Sequence, residues 1–140
     1  MLKLIAALFL IAAAPPEDAV RREQSKLDGY WRMVSVEVDG AKMPAQQVND
    51  FSLKFKGDKF TSFRAGEKKT GTFTIDPTKK PKTLDIVLDD GPDKGKTWSL
   101  IYTLEGDRLQ ICGREAGKDR PTSFDTKDQK DVILMIFRRE

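Results

Sequence analysis

The sequence predicts an all-β domain, an antiparallel barrel of eight strands with one short helix, and three observations predict it. Turn residues recur at short intervals from Gly29 onward: Asp39-Gly40, Gly57-Asp58, Ala65-Gly66-Glu67, Asp76-Pro77, Asp90-Gly91-Pro92, Gly106-Asp107 and Ala116-Gly117. Each interrupts a run rich in β-formers, and connections so short join antiparallel neighbours. Between the turns apolar and polar residues alternate, so one face of each strand is dry and the other wet. No long amphipathic helix is available to cover an open sheet, and closure into a barrel, or folding into a sandwich, removes the need for one.

The elements follow in chain order. Lys3 precedes an uncharged apolar run from Leu4 to Ala14, ending in three alanines before Pro15 and Pro16, which reads as a secretory signal peptide over residues 1–14. The run is too short to span a bilayer of about 30 Å as a helix, so no transmembrane span is expected after processing. Pro15 is poor cleavage chemistry directly behind Ala14, so cleavage one residue earlier and an uncleaved anchor both stay open. The expected location is extracytoplasmic, periplasmic or secreted. Residues 15–26 are polar and charged, read as a linker with a short helix over Val20 to Lys26 as the other option, and the domain proper runs 27–140. Its strands are expected at Tyr30 to Val38, Phe51 to Lys56, Lys59 to Arg64, Thr70 to Ile75, Thr83 to Leu88, Thr97 to Leu104, Arg108 to Cys112 and Val132 to Arg138. The short helix is placed at Pro44 to Asp50. Alternation assigns Phe51, Leu53, Phe55, Phe60, Phe73, Ile75, Leu84, Ile86, Leu88, Leu109 and Ile111 to the interior. The last strand is apolar on both faces, which predicts that the N-terminal segment or the short helix covers its outer side.

Composition narrows the function. The 140 residues fit one domain, and 25 Lys and Arg against 22 Asp and Glu give a net charge of +3, too small a surplus for a nucleic-acid surface. With no His, there are no His metal ligands, His general bases or His-activated nucleophiles. The single Cys excludes an internal disulfide and a Cys-cluster metal site. No catalytic residue set, cofactor or metal is expected, and the chain reads as a non-enzyme.

At the strand ends the sequence resembles a known family. Gly29-Tyr30-Trp31 matches the G-x-W of lipocalins, and Arg138 or Arg139 matches the Arg that closes their last strand. The resemblance implies that Trp31 lies across the closed end of the barrel with the Arg packed on its ring, a contact worth about 0.5 to 2 kcal/mol. Over roughly Leu27 to Arg139 the chain is similar to a planctomycete domain family described as lipocalin-like. The matching runs are 35–40 (SVEVDG), 55–60 (FKGDKF), 76–82 (DPTKKPK), 91–97 (GPDKGKT), 101–107 (IYTLEGD) and 120–124 (RPTSF). The family usually has Gly where this chain has Leu100. The resemblance implies a fold and, with it, a small apolar ligand inside the barrel; it carries no catalytic residues.

Candidate sites each have a plainer rival. Trp31, Trp98 and Tyr102 are candidates for the wall of an apolar ligand pocket, against the reading that they are core. The predicted interior is nearly all large side chains, which tilts toward a filled barrel, since eight strands enclose room for side chains or for one small ligand. A filled barrel would act instead as a protein or glycan interaction module through its loops, 79–82 or 113–131, the latter bearing Lys118, Arg120, Pro121 and Phe124. Lys79, Lys80 and Lys82 form a candidate polyanion loop, more simply a solvated turn. Asp89, Asp90 and Asp93 lack the spacing of a calcium loop and read as turn caps. Cys112, with no His to activate it, reads as a packed thiol.

Overall fold

The structure, a computed structural model, describes residues 14–44 and 50–140. The predicted signal peptide lies outside the described residues apart from Ala14, and so does the predicted helix at Pro44 to Asp50 apart from its two ends. Among the described residues no helix is long and apolar enough to cross a membrane.

The segment read as a linker is helical. Helix α1 (Glu17–Leu27) has Glu17 and Asp18 in its first turn and Lys26 in its last, charges that complement the helix dipole. Val20, Glu23 and Leu27 share one stripe, and Glu23 and Leu27 are buried against the barrel.

Among the described residues nine strands follow: β1 (Gly29–Val38), β2 (Ala41–Pro44), β3 (Phe51–Lys56), β4 (Lys59–Arg64), β5 (Glu67–Asp76), β6 (Lys82–Leu88), β7 (Thr97–Glu105), β8 (Arg108–Gly113) and β9 (Ile133–Arg139). All pairings are antiparallel, β3 to β9 run side by side in chain order, and β1 pairs with both β3 and β9. Eight strands therefore close a barrel, as expected. The unforeseen ninth, β2, turns back at Asp39 and Gly40, both at positive φ, and pairs with the second half of β1, whose first half is held by β3. A bulge between Met33 and Ser35 lets β1 bend between these two partners.

Every residue assigned inward from alternation joins the core, Phe51 as a partly buried member, together with Leu27, Trp31, Leu100, Tyr102 and Phe137. Phe55 anchors aromatic contacts with Phe60 and Phe73, at centroid distances of 5.6 and 4.9 Å. Gly71 of β5 is required by close approach: a Cβ there would stand 2.2 Å from the Val87 carbonyl oxygen.

The segments expected to cover β9, the N-terminal segment and the short helix, lie largely outside the described residues. Cys112, Ile101 and Val132 form a second apolar cluster on the outside of the barrel, joined by Leu134 and by Phe124 of the β8–β9 loop. That loop covers this part of the outer face.

Candidate functional site

Strand direction gives the barrel two distinct ends. The β3–β4, β5–β6 and β7–β8 turns gather around α1 at one end, and the β4–β5, β6–β7 and β8–β9 connections lie at the other.

The α1 end is plugged. Trp31 is fully buried and its indole N–H donates to the Leu27 carbonyl at 2.8 Å, tying β1 to the end of the helix. The Arg139 guanidinium lies 4.2 Å from the centre of the Trp31 ring. It donates to the carbonyl oxygens of Asp28 and Lys26 and pairs with Asp107, so one side chain links β9, α1 and the β7–β8 turn. Arg138, the other candidate for this position, points outward and is exposed. Gly29 adopts φ +124, and a Cβ on it would stand 3.2 Å from Arg139 Nη1, so the glycine gives the guanidinium its place.

Beside Trp31 is a polar group the sequence did not reveal. Tyr102 is fully buried, and its hydroxyl donates to Glu23 Oε1 at 3.0 Å, while Lys82 Nζ reaches the same oxygen at 2.8 Å. Burial, with the Glu23 carboxylate beside it, pushes the Tyr102 phenol far above its ordinary value. The phenol is therefore a permanent hydrogen-bond donor and not a base. The three groups satisfy one another and tie α1 to β6 and β7. Glu23 was missed because α1 reads as charged linker; the signal was the Val20, Glu23, Leu27 spacing.

Of the three pocket candidates, Trp31 and Tyr102 thus sit at the plugged end and Trp98 is apart from them. Trp98 is half-buried near the start of β7, toward the other end. There it shares the interior with Met33, Phe51 and Met135, all partly buried and packed on the core below. Val38 and Ile133, paired across β1 and β9, continue this half-buried lining. On the facing wall Ser62 and Lys69, paired across β4 and β5, stand on the inward side. Leu100 fills space that another residue leaves free: its Cδ2 lies 2.0 Å from where a Cβ of Gly113 would be. Leu100 and Gly113 are thus complementary in size.

The other candidate groups are spread out. In the β8–β9 loop, Arg120 pairs with Asp85 at 2.6 Å and donates to the Leu100 carbonyl, Pro121 is buried and Phe124 packs on the outer cluster, leaving Lys118 exposed. Thr126, buried, accepts from the Gly40 N–H and donates to Glu37, fastening the loop to the β1–β2 turn. Lys79 and Lys80 are exposed, while Lys82 is engaged by Glu23. Asp89 accepts from Thr70 and Asp93 pairs with Lys96. Burial pushes the Cys112 thiol up to about 11, against the pull of Arg114. Two grooves mark the outside, one of about 380 Å³ between α1 and the β5–β6 face and one of about 510 Å³ over β1, β2, β8 and β9. Comparison with protein-family models, with curated proteins and with solved structures returns no match to this chain in any of the three.

Proposed function

We propose that the chain is a non-enzymatic, lipocalin-like extracytoplasmic binding module that takes a small apolar ligand at the end of its barrel away from α1. The observation that carries this reading is the asymmetry of the interior: side chains at the α1 end are fully buried and hydrogen-bonded, while Met33, Phe51, Trp98 and Met135 toward the other end remain partly exposed. Apolar and aromatic walls with a few polar groups are the usual make-up of a small-molecule site, and methionines adapt to irregular guests. Among the three pocket residues considered from sequence, Trp98 is the contact residue; Trp31 and Tyr102 form the floor. Residues in the β8–β9 loop support a loop-mediated interaction less well, because Arg120, Pro121 and Phe124 are already held by the barrel.

The test is native mass spectrometry of the full chain as secreted, combined with titration of Nile red, an uncharged apolar probe. An adduct lost on denaturation, or saturable Nile red binding weakened by Trp98→Ala and displaced by extracted ligand, is the expected result. A bare mass with no saturable uptake overturns the proposal.

A further inference from the structure

On the outer surface near the α1 end, strand register sets three arginines in a row. Arg108 of β8 stands opposite Arg138 of β9, and Arg138 stands opposite Arg32 of β1. Each precedes or follows an inward residue, Leu109, Phe137 and Trp31, so all three guanidiniums share the outer face, and all three residues are exposed. Adjacent strands are about 4.8 Å apart, and like charges directly opposite one another destabilise a sheet.

Little in the chain offsets this row. Arg32 pairs with Glu140 at 2.9 Å. Among the described residues Arg108 and Arg138 form no ion pair, and residues 1–13 and 45–49 contain no Asp or Glu. Glu105, opposite Arg108 on β7, is exposed and does not pair with it. Along the row runs the groove of about 510 Å³, lined by Val34, Ser35, Pro44 and Ile136 and rimmed by Lys42, Arg108 and Arg138. Its apolar strip exists because the β1 bulge and the extra strand β2 bring Val34 and Pro44 beside Ile136.

We propose that this face docks an acidic polypeptide segment of a partner protein. Charge complementarity selects a partner rich in carboxylates, because a guanidinium fork binds a carboxylate through two parallel N–H donors. The apolar strip selects a polypeptide, which can intersperse an apolar side chain among its acids; a sulfated glycan or a phosphate would leave the strip bare. The open form of the groove suits an extended segment, whereas a small molecule needs an enclosing concavity. This surface lies outside the barrel and is independent of the ligand binding proposed at the end away from α1.

The test uses the full chain and fluorescein-labelled poly-L-glutamate, followed by anisotropy at low salt. The double variants Arg108→Gln/Arg138→Gln and Lys79→Gln/Lys80→Gln each remove two positive charges, the second pair from an exposed turn away from the row. The expected result is an affinity about tenfold or more weaker for the arginine pair and less than about twofold changed for the lysine pair. Tm of the arginine variant should be unchanged or higher, since the like-charge contact is gone; a clear fall overturns the premise that the row is held at a cost. Equal losses in both variants, pointing to net charge alone, overturn the proposal. So does the absence of poly-L-glutamate binding, including a case in which heparin or anionic vesicles bind and the arginine pair abolishes it.

Discussion

The Glu23–Tyr102 contact offers a sharp test of how α1 is joined to the barrel. Removing the carboxylate as Glu23→Ala leaves a fully buried phenol with no acceptor, while Lys82, about a third exposed, can turn to water. A hydrogen bond to a charged group contributes about 1.5 to 3 kcal/mol, and an orphaned buried donor adds desolvation cost, so Glu23→Ala should destabilise by about 2 to 4 kcal/mol. Tyr102→Phe removes the hydroxyl and leaves the carboxylate with Lys82 alone, at about 1.5 to 3 kcal/mol. The double variant removes both partners, so its cost should fall short of the sum by about 1.5 kcal/mol or more. Urea unfolding followed by tryptophan fluorescence measures all four corners of the cycle. A coupling energy below about 0.5 kcal/mol would refute the reasoning, since hydroxyl and carboxylate would then act independently. The pH dependence supplies a second reading. Tyr102 in the folded protein ionises well above its ordinary value, so above pH of about 10 the unfolded chain releases this proton while the folded one keeps it. Stability from this group is complete below that pH and falls as pH rises, by up to about 1.4 kcal/mol per unit. The slope above pH 10 should be shallower in Tyr102→Phe.

Other perturbations follow from the same geometry. Arg139→Lys keeps the charge but loses the flat guanidinium over Trp31 and the fork to two carbonyls; a loss of about 1 to 3 kcal/mol is expected in urea unfolding, with a red shift of Trp31 emission. Gly71→Ala should cost about 2 kcal/mol or more, because its Cβ meets the Val87 backbone, which cannot step aside. Gly113→Ala meets only the Leu100 side chain, so its penalty should shrink in a Leu100→Ala background, as thermal unfolding of the double variant would report. Cys112, buried and with its thiol raised to about 11, should resist alkylation at pH 8 in the native protein and react on unfolding; rapid native labelling would show that the β8–β9 loop opens readily.

Alternation along the sequence placed the eight barrel strands and the inward face of β3, β4, β5, β6 and β8, because period-2 burial leaves a direct mark on residues such as Phe51, Leu53 and Phe55. It could not place β2, whose four residues are all exposed and end in Pro44, so no face is written into them. The helix escaped because its buried stripe contains Glu23, a charged residue whose partners lie 59 and 79 residues away. The same limit governed the candidate site. Periodicity tells which face a side chain takes and says nothing of its height in the barrel. Trp31, Trp98 and Tyr102 all point inward, yet two lie on the floor and one toward the rim. The cover over β9 was likewise unreadable, since Phe124 reaches it from a loop with no repeating pattern.

Closure between the first and last barrel strands makes the fold depend on β9, the last strand of the barrel to be made. Arg139 reaches back 113 residues to the Lys26 carbonyl, and β9 supplies the second edge of β1 over almost its whole length. While the chain is being synthesised, β1 and β8 each present an unpaired edge until β9 emerges, and such a closure is both slow and exposed to intermolecular pairing. A chain cut within the β8–β9 loop, ahead of β9, would therefore leave an open, edge-bearing sheet instead of a slightly shortened barrel, and a ribosome-tethered chain should gain protease resistance in a single late step once β9 has cleared the exit tunnel.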